Sequence, residues 1–206
     1  MQTAAQTAAQ TAAQTVTQTA AQTVAFTQMK DGTRAEYAFL QTLEHAYVRG
    51  LPGRLLAALE HLGEGFQGYQ ISRLEHSLQS ASRAEADGAD VDMVVAALLH
   101  DIGDDLAPEN HSQFAASILR PYVRPEVTWV VEKHGLFQMQ YYAHHYDRSN
   151  TGHLALQHHP WFASCQRFCE CYDQASFDPA YASRPLSYFA PLVAEVFGRR
   201  AYAFEG

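Results

Sequence analysis

Three features of the 206-residue chain predict an all-α fold. From Lys30 onward apolar residues recur at three- and four-residue intervals, the period of one helix face. No alternating stretch of any length competes as a strand. Gly, Pro and Asn fall where helices start and stop. Ala35 to Arg49 and Leu55 to Leu62 carry the helical pattern first. A Gly-rich loop, GEGFQGY, then feeds a helix from Ile71 to Ala84 whose apolar stripe is Ile71, Leu74, Leu78 and Ala81. The most apolar segment, Val91 to Ile102 (VDMVVAALLHDI), reads as a buried helix ended by Gly103. Asn110 can cap the next helix, which Pro121 interrupts, and Pro125 suits the first turn of another, expected to stop at Gly135 after His134. Pro160 opens the segment that carries Asp173, and a last amphipathic stretch runs from Leu186 to Tyr202.

Ahead of these helices, Gln2 to Ala25 repeats a four-residue unit, QTAA with variants, without a charge or an aromatic ring. Thr at every fourth place lowers helix propensity and the Ala face is too small to nucleate a core, so residues 1–29 are expected to be a flexible tail and residues 30–206 one domain. Acidic residues outnumber basic ones by 22 to 14, for a net charge of -8, and Lys occurs only at Lys30 and Lys133. No basic stripe exists for a phosphate backbone, which argues against nucleic acid as a partner. No apolar run reaches membrane-spanning length. Cys165, Cys169 and Cys171 are odd in number and crowded together, neither a disulfide framework nor a paired zinc spacing, so the chain is expected in the cytoplasm.

The residues that carry chemistry are His76, His100, Asp101, His111, His134 and Asp173. His76 lies off the apolar stripe of its helix and must face solvent or a polar pocket. His100 and Asp101 end the most apolar segment, where an ionised carboxylate and an imidazole are costly without partners. Asp173 lies in the apolar stretch Phe168 to Phe177, and His111 and His134 sit at two expected helix ends. Imidazole and carboxylate without thiolate suit iron, manganese or zinc. Asp101 offers two oxygens and can bridge two ions. His45, His61 and His153 read as ordinary surface or capping residues.

At these positions the chain resembles the HD-domain superfamily, whose pattern is a His, then an adjacent His-Asp, then a distant Asp. The segment ISRLEHSLQSASRAEADGADVDMVVAALLHDIGDD matches it, with LLHDIG as the central motif. Within that superfamily the register of FQGYQISRLEHSLQ is similar to a branch of mixed-valent di-iron oxygenases that cleave organophosphonates and are related in fold to myo-inositol oxygenase. The resemblance covers Phe66 to Phe197 and implies an HD-domain helical bundle, two iron ions as Fe(II)/Fe(III), and O2 as co-substrate. It further implies that His76, His100, Asp101 and Asp173 hold one iron, and that Asp101, His111 and His134 hold the other. His144 and His145 are the alternatives to His134, and Asp178 to Asp173. Asp173 is preferred because it sits in an apolar helix while Asp178 precedes a proline.

Departures from the branch pattern bear on the substrate. Where relatives that act on an aminoethyl hydroxyphosphonate place a Tyr and then a Glu, this chain has Phe66 and Tyr69. A primary ammonium wants hydrogen-bond acceptors, whereas a trimethylammonium group is held by aromatic faces at about 0.5 to 2 kcal/mol per ring. The expected small-molecule substrate is therefore (R)-1-hydroxy-2-(trimethylammonio)ethylphosphonate, with glycine betaine and phosphate as products. At the phosphonate end the usual His and Lys are replaced by Asp104 and Gln138, and Lys133, Arg148 and Arg167 are the candidate substitutes for the lost charge. The competing reading is an HD-type metal-dependent phosphohydrolase, which needs only His76, His100, Asp101 and Asp173.

Overall fold

The computed structural model describes residues 23–202, so most of the QTAA repeat lies outside the described residues. Two compact units divide between Val48 and Arg49. The division expected from the sequence, between residues 29 and 30, is a different one.

The first unit is built on helix α1 (Arg34–Arg49), none of whose residues is buried. Glu36 organises its start. Its carboxylate accepts from the backbone and hydroxyl of Thr33 at 2.9 and 2.8 Å and from the Ala25 amide at 2.8 Å, while Thr33 Oγ1 accepts from the Glu36 amide. This reciprocal Thr-x-x-Glu arrangement satisfies amides that a helix start leaves unpaired. Phe26 stacks on Tyr37 at 5.5 Å. Ala25 and Phe26, expected to belong to the tail, are thus held on α1.

The second unit contains α2 (Leu51–His61), α3 (Arg73–Ala86), α4 (Val91–Leu99), α5 (His111–Leu119), α6 (Pro125–Tyr142), α7 (Phe162–Arg167) and α8 (Leu186–Phe197), with a π-helix at Phe168–Asp173. Among the described residues there is no strand, and no helix is long and apolar enough to cross a membrane. Helix α4 lies at the centre. All residues from Met93 to Leu99 are buried, and α3, α6 and α8 pack on it. Its start is fixed by Asp90, whose side chain accepts from the Met93 amide at 3.0 Å. Helix α3 is capped the same way by Ser72.

One boundary differs from expectation in a way that shapes the site. Gly135 does not end α6, which continues for seven more residues to Tyr142. A Cβ at Gly135 would come within 2.8 Å of Ser112 Oγ on α5. This glycine permits close helix approach, and the continuation carries Tyr141 and Tyr142 toward the site, with Tyr146 on the turn that follows.

Candidate metal centre

The second unit brings the six singled-out residues together from five segments. His76 projects from the first turn of α3, His100 and Asp101 follow α4, His111 opens α5, His134 lies in the middle of α6, and Asp173 ends the π-helix. His76, His100, Asp101, His134 and Asp173 are all buried, with His111 partly so. His76 therefore faces a polar pocket and not solvent.

Backbone carbonyls set the imidazole orientations. His76 Nδ1 lies 2.8 Å from Ser176 O, His100 Nδ1 2.8 Å from Ala97 O and His134 Nδ1 2.6 Å from Val131 O. A carbonyl only accepts, so each Nδ1 carries the proton and each Nε2 lone pair is left for the centre. His111 is held less firmly, with its Nδ1 3.4 Å from Pro108 O.

The carboxylate of Asp101 divides these nitrogens into two sets. Its Oδ2 lies 3.3 Å from both His76 Nε2 and His100 Nε2, and its Oδ1 lies 3.2 Å from His134 Nε2 and 3.5 Å from His111 Nε2. Asp173 Oδ1 joins the first set, at 3.3 Å from His76 and 3.6 Å from His100. His76 and His100 turn their Nε2 atoms to within 3.1 Å of each other, two lone pairs that need a proton or a cation between them. Asp173 Oδ2 is buried without a hydrogen-bond partner, an arrangement costly for a carboxylate oxygen unless an ion takes it up. The potential ligand atoms of His76, His100 and Asp173 lie within 4.8 Å of one another, as do those of His100, Asp101 and His134, and of Asp101, Asp104 and His111. The donor set fits one or two cations of the kind imidazole and carboxylate prefer.

The electrostatics agree with a site built around positive charge. Burial pushes the His100 pKa down, but Asp101 and Asp173 outweigh it and raise it well above its ordinary value; His76 is raised in the same way. Burial pushes Asp101 and Asp173 up, yet the facing imidazoles, with Arg73 in the case of Asp101, hold both below the ordinary carboxylate range.

A cavity of about 510 Å³ opens over these residues. Tyr69 and Gln138 line it, as does Arg73. Tyr69 packs on Phe177 at 4.8 Å, and Phe177 stacks on His76 at 4.4 Å. Tyr141, Tyr142 and Tyr146 form another part of the wall. The Tyr141 hydroxyl is buried without a partner, and burial pushes its pKa up to about 12. Not every expected residue reaches this cavity. Phe66 is 67% exposed and touches Tyr69 edge-on, but it does not line the wall. Asp104 pairs with Arg73 and lies 3.6 Å from His111. Lys133 is drawn to Glu132 and Arg167 to Asp87, and neither they nor Arg148 line the cavity. His144 and His145 are exposed on the turn after α6, and Asp178 caps a turn through the Ala180 amide. His153 is not a surface residue; it is buried against Phe137 and Phe162.

Sequence reasoning missed Arg73, Tyr141, Tyr142, Tyr146 and Phe177. For Arg73 a signal existed: it occupies the first position of α3, where a cation opposes the helix dipole and gains nothing for the helix. The tyrosines were hidden by the mistaken end at Gly135.

A hydroxymethylphosphonate dioxygenase from Gimesia maris is 38% identical over 66 residues, which are 30% of this chain and 33% of that protein. The match thus spans about a third of that relative's length. Asp173 lies beyond the residues that a family model matches, whereas His76, His100, Asp101, His111 and His134 lie within them: residues 73–162 match the HD domain, and the helices around this site have the fold of that family.

Proposed function

We propose that the protein is an O2-dependent oxygenase that holds two iron ions, as Fe(II)/Fe(III), and cleaves the carbon–phosphorus bond of a 1-hydroxy-2-ammonioethylphosphonate. The observation that carries this reading is the division of Asp101, with Oδ2 toward His76 and His100 and Oδ1 toward His111 and His134. On this reading His76, His100, Asp101 and Asp173 hold one iron, and Asp101, His111 and His134 the other. A phosphohydrolase needs only His76, His100, Asp101 and Asp173, so the two further histidines count against that reading. The reaction class is supported by the relative named as a hydroxymethylphosphonate dioxygenase.

When bound, the irons supply the electron transfer by which O2 oxidises C1, chemistry that no side chain here can supply. Across the reaction C1 passes from alcohol to carboxylate, the carbon–phosphorus bond breaks, and phosphate takes up the second oxygen atom. The chain's part is to fix the imidazoles through their Nδ1 hydrogen bonds, to orient the C1–H bond, and to keep the reacting carbon away from bulk water. The ammonium end of the substrate is assigned to the aromatic wall. The acids lining the cavity are Asp101 and Asp173, both engaged with the histidines, while Tyr69, Tyr142, Tyr146 and Phe177 line it with aromatic rings. A primary ammonium would lose hydrogen bonds to water there without replacement. A trimethylammonium group has none to lose and gains cation–π attraction. The favoured substrate is therefore (R)-1-hydroxy-2-(trimethylammonio)ethylphosphonate, giving glycine betaine and phosphate.

The test is O2 consumption by protein loaded anaerobically with iron, joined to EPR with substrate present. A coupled mixed-valent signal and stoichiometric phosphate release are expected. Phosphate-ester hydrolysis without O2 uptake would instead establish the phosphohydrolase.

A further inference from the structure

We propose that Arg73, clamped by Asp104, binds the anionic group of the substrate, a tetrahedral oxyanion of the phosphonate class. This deepens the oxygenase reading and rests on it for the identity of the anion. The sequence offered Asp104 and Gln138 where a cation was wanted, and its three candidate substitutes do not line the cavity. Among the described residues lining the cavity, Arg73 is the one Lys or Arg.

Its geometry is that of a residue fixed before a ligand arrives. Only 13% of its side chain is exposed. Arg73 Nε donates to Asp104 Oδ2 at 2.6 Å, and Nη2 lies 2.5 Å from both Asp104 Oδ2 and Asp101 Oδ2. A guanidinium carries five N–H groups in a rigid fork, and those of Nη1 are taken by neither aspartate. The rotamer entropy of a long side chain is thus already spent, and the remaining donors suit the paired oxygens of a phosphonate. Burial works against the charge of Arg73, but Asp101 and Asp104 hold it protonated.

The two aspartates play different parts. Asp101 is shared with four imidazoles, so cations at that centre would draw its charge away from Arg73. Asp104 would then remain as the partner that positions the guanidinium, leaving Arg73 a net attraction for an anion at the first turn of α3, where the helix dipole acts in the same direction. With Asp104 in the turn after α4 where a cation was wanted, the positive charge beside the cavity is carried by Arg73 at the start of α3.

The test uses the full, iron-loaded chain without O2 and titrates methylphosphonate, which has no C1 hydroxyl and cannot turn over. Arg73→Gln should weaken methylphosphonate binding by roughly tenfold or more, with Arg73→Lys intermediate, since an ammonium keeps the charge without the fork. Iron content should be unchanged in both variants. Asp104→Asn, which keeps Arg73 and loosens its clamp, should weaken methylphosphonate binding by less than Arg73→Gln and serves if that variant does not fold. Unchanged methylphosphonate affinity in Arg73→Gln overturns the proposal, as does loss of iron in parallel with affinity, which would make Arg73 a support for Asp101 alone. A chain that binds methylphosphonate through Arg73 but takes up no O2 keeps this site and loses the oxygenase reading. A chain that takes up O2 with substrate while Arg73→Gln binds methylphosphonate normally does the reverse.

Discussion

Asp101 Oδ1 lies 3.2 Å from His134 Nε2, although the two residues are 33 positions apart and come from different helical segments. The contact joins a carboxylate already committed through Oδ2 to His76 and His100 with an imidazole whose other nitrogen is fixed on Val131 O. Asp101→Ala should therefore release most of the bound metal from both sets and abolish O2 uptake. Metal analysis of the purified variant checks this; full metal content would show that Asp101 is no bridge.

The second set should be the weaker. His111 is partly exposed and loosely oriented, while His76 and His100 are buried with short hydrogen bonds. His111→Ala should halve the metal content and spare the ion held by His76, His100 and Asp173. Gly103→Ala should act in the same direction. A Cβ at Gly103 would lie 3.0 Å from His111 Cα and 3.1 Å from its carbonyl oxygen, so the His111 backbone must give way. Loss of about tenfold in affinity for the second metal, read from competition with a chelator, is the expected result. Equal loss of both metals would contradict the division into two sets.

Tyr69→Glu places a carboxylate beside the aromatic wall. The ratio of kcat/KM for the trimethylated over the unmethylated hydroxyphosphonate should fall by roughly tenfold, equivalent to about 1.4 kcal/mol. Phe66→Ala should leave that ratio unchanged, because Phe66 stands outside the cavity. An unaltered ratio in Tyr69→Glu, or a native preference for the primary amine, sinks the aromatic reading while leaving the metal centre untouched.

Asp90 offers a prediction for stability. Besides capping α4, it lies 2.5 Å from Arg124 Nη1. Asp90→Ala should cost about 1 kcal/mol in denaturant unfolding. Burial pushes the Asp90 pKa up, but Arg124 and the Met93 amide outweigh it and hold it below the ordinary carboxylate value of about 3.9. The charged form is thus favoured by folding. Its contribution is present above about pH 4 and fades as pH falls through the depressed folded value. The stability gap between native chain and variant should narrow in acid; a gap that widens there would assign Asp90 another role.

The helices were legible because their caps and periodicity are local. Pro125 opens α6 as read from the sequence, and Asn110 immediately precedes α5 but makes no side-chain capping hydrogen bond to it. His76 was legible as a pocket residue for a related reason: a polar side chain off the stripe of a helix that turns out to be buried needs a polar partner. The preference for Asp173 over Asp178 came from its apolar neighbours, and the structure brings Asp173 beside His76 and His100. What stayed hidden depends on packing between distant segments. Gly135 resembles a helix end until Ser112 on α5 is seen against it. Arg73 and Asp104 are 31 residues apart, and nothing local announces their pairing. Phe66 and Tyr69 are three residues apart in one loop, yet only Tyr69 turns into the cavity.

The π-helix at Phe168–Asp173 makes the place of Asp173 beside His76 and His100 depend on how tightly the chain winds as well as on residue identity. A widened turn accommodates an extra residue between the end of α7 and Asp173. Wound instead as an ordinary α-helix, the same six residues would carry Asp173 further around the axis by about one residue's step, about 100°. Every histidine and aspartate would remain in the gene product, but one carboxylate would face the wrong way. An inventory of candidate ligands is thus incomplete without the winding of the turn that delivers Asp173.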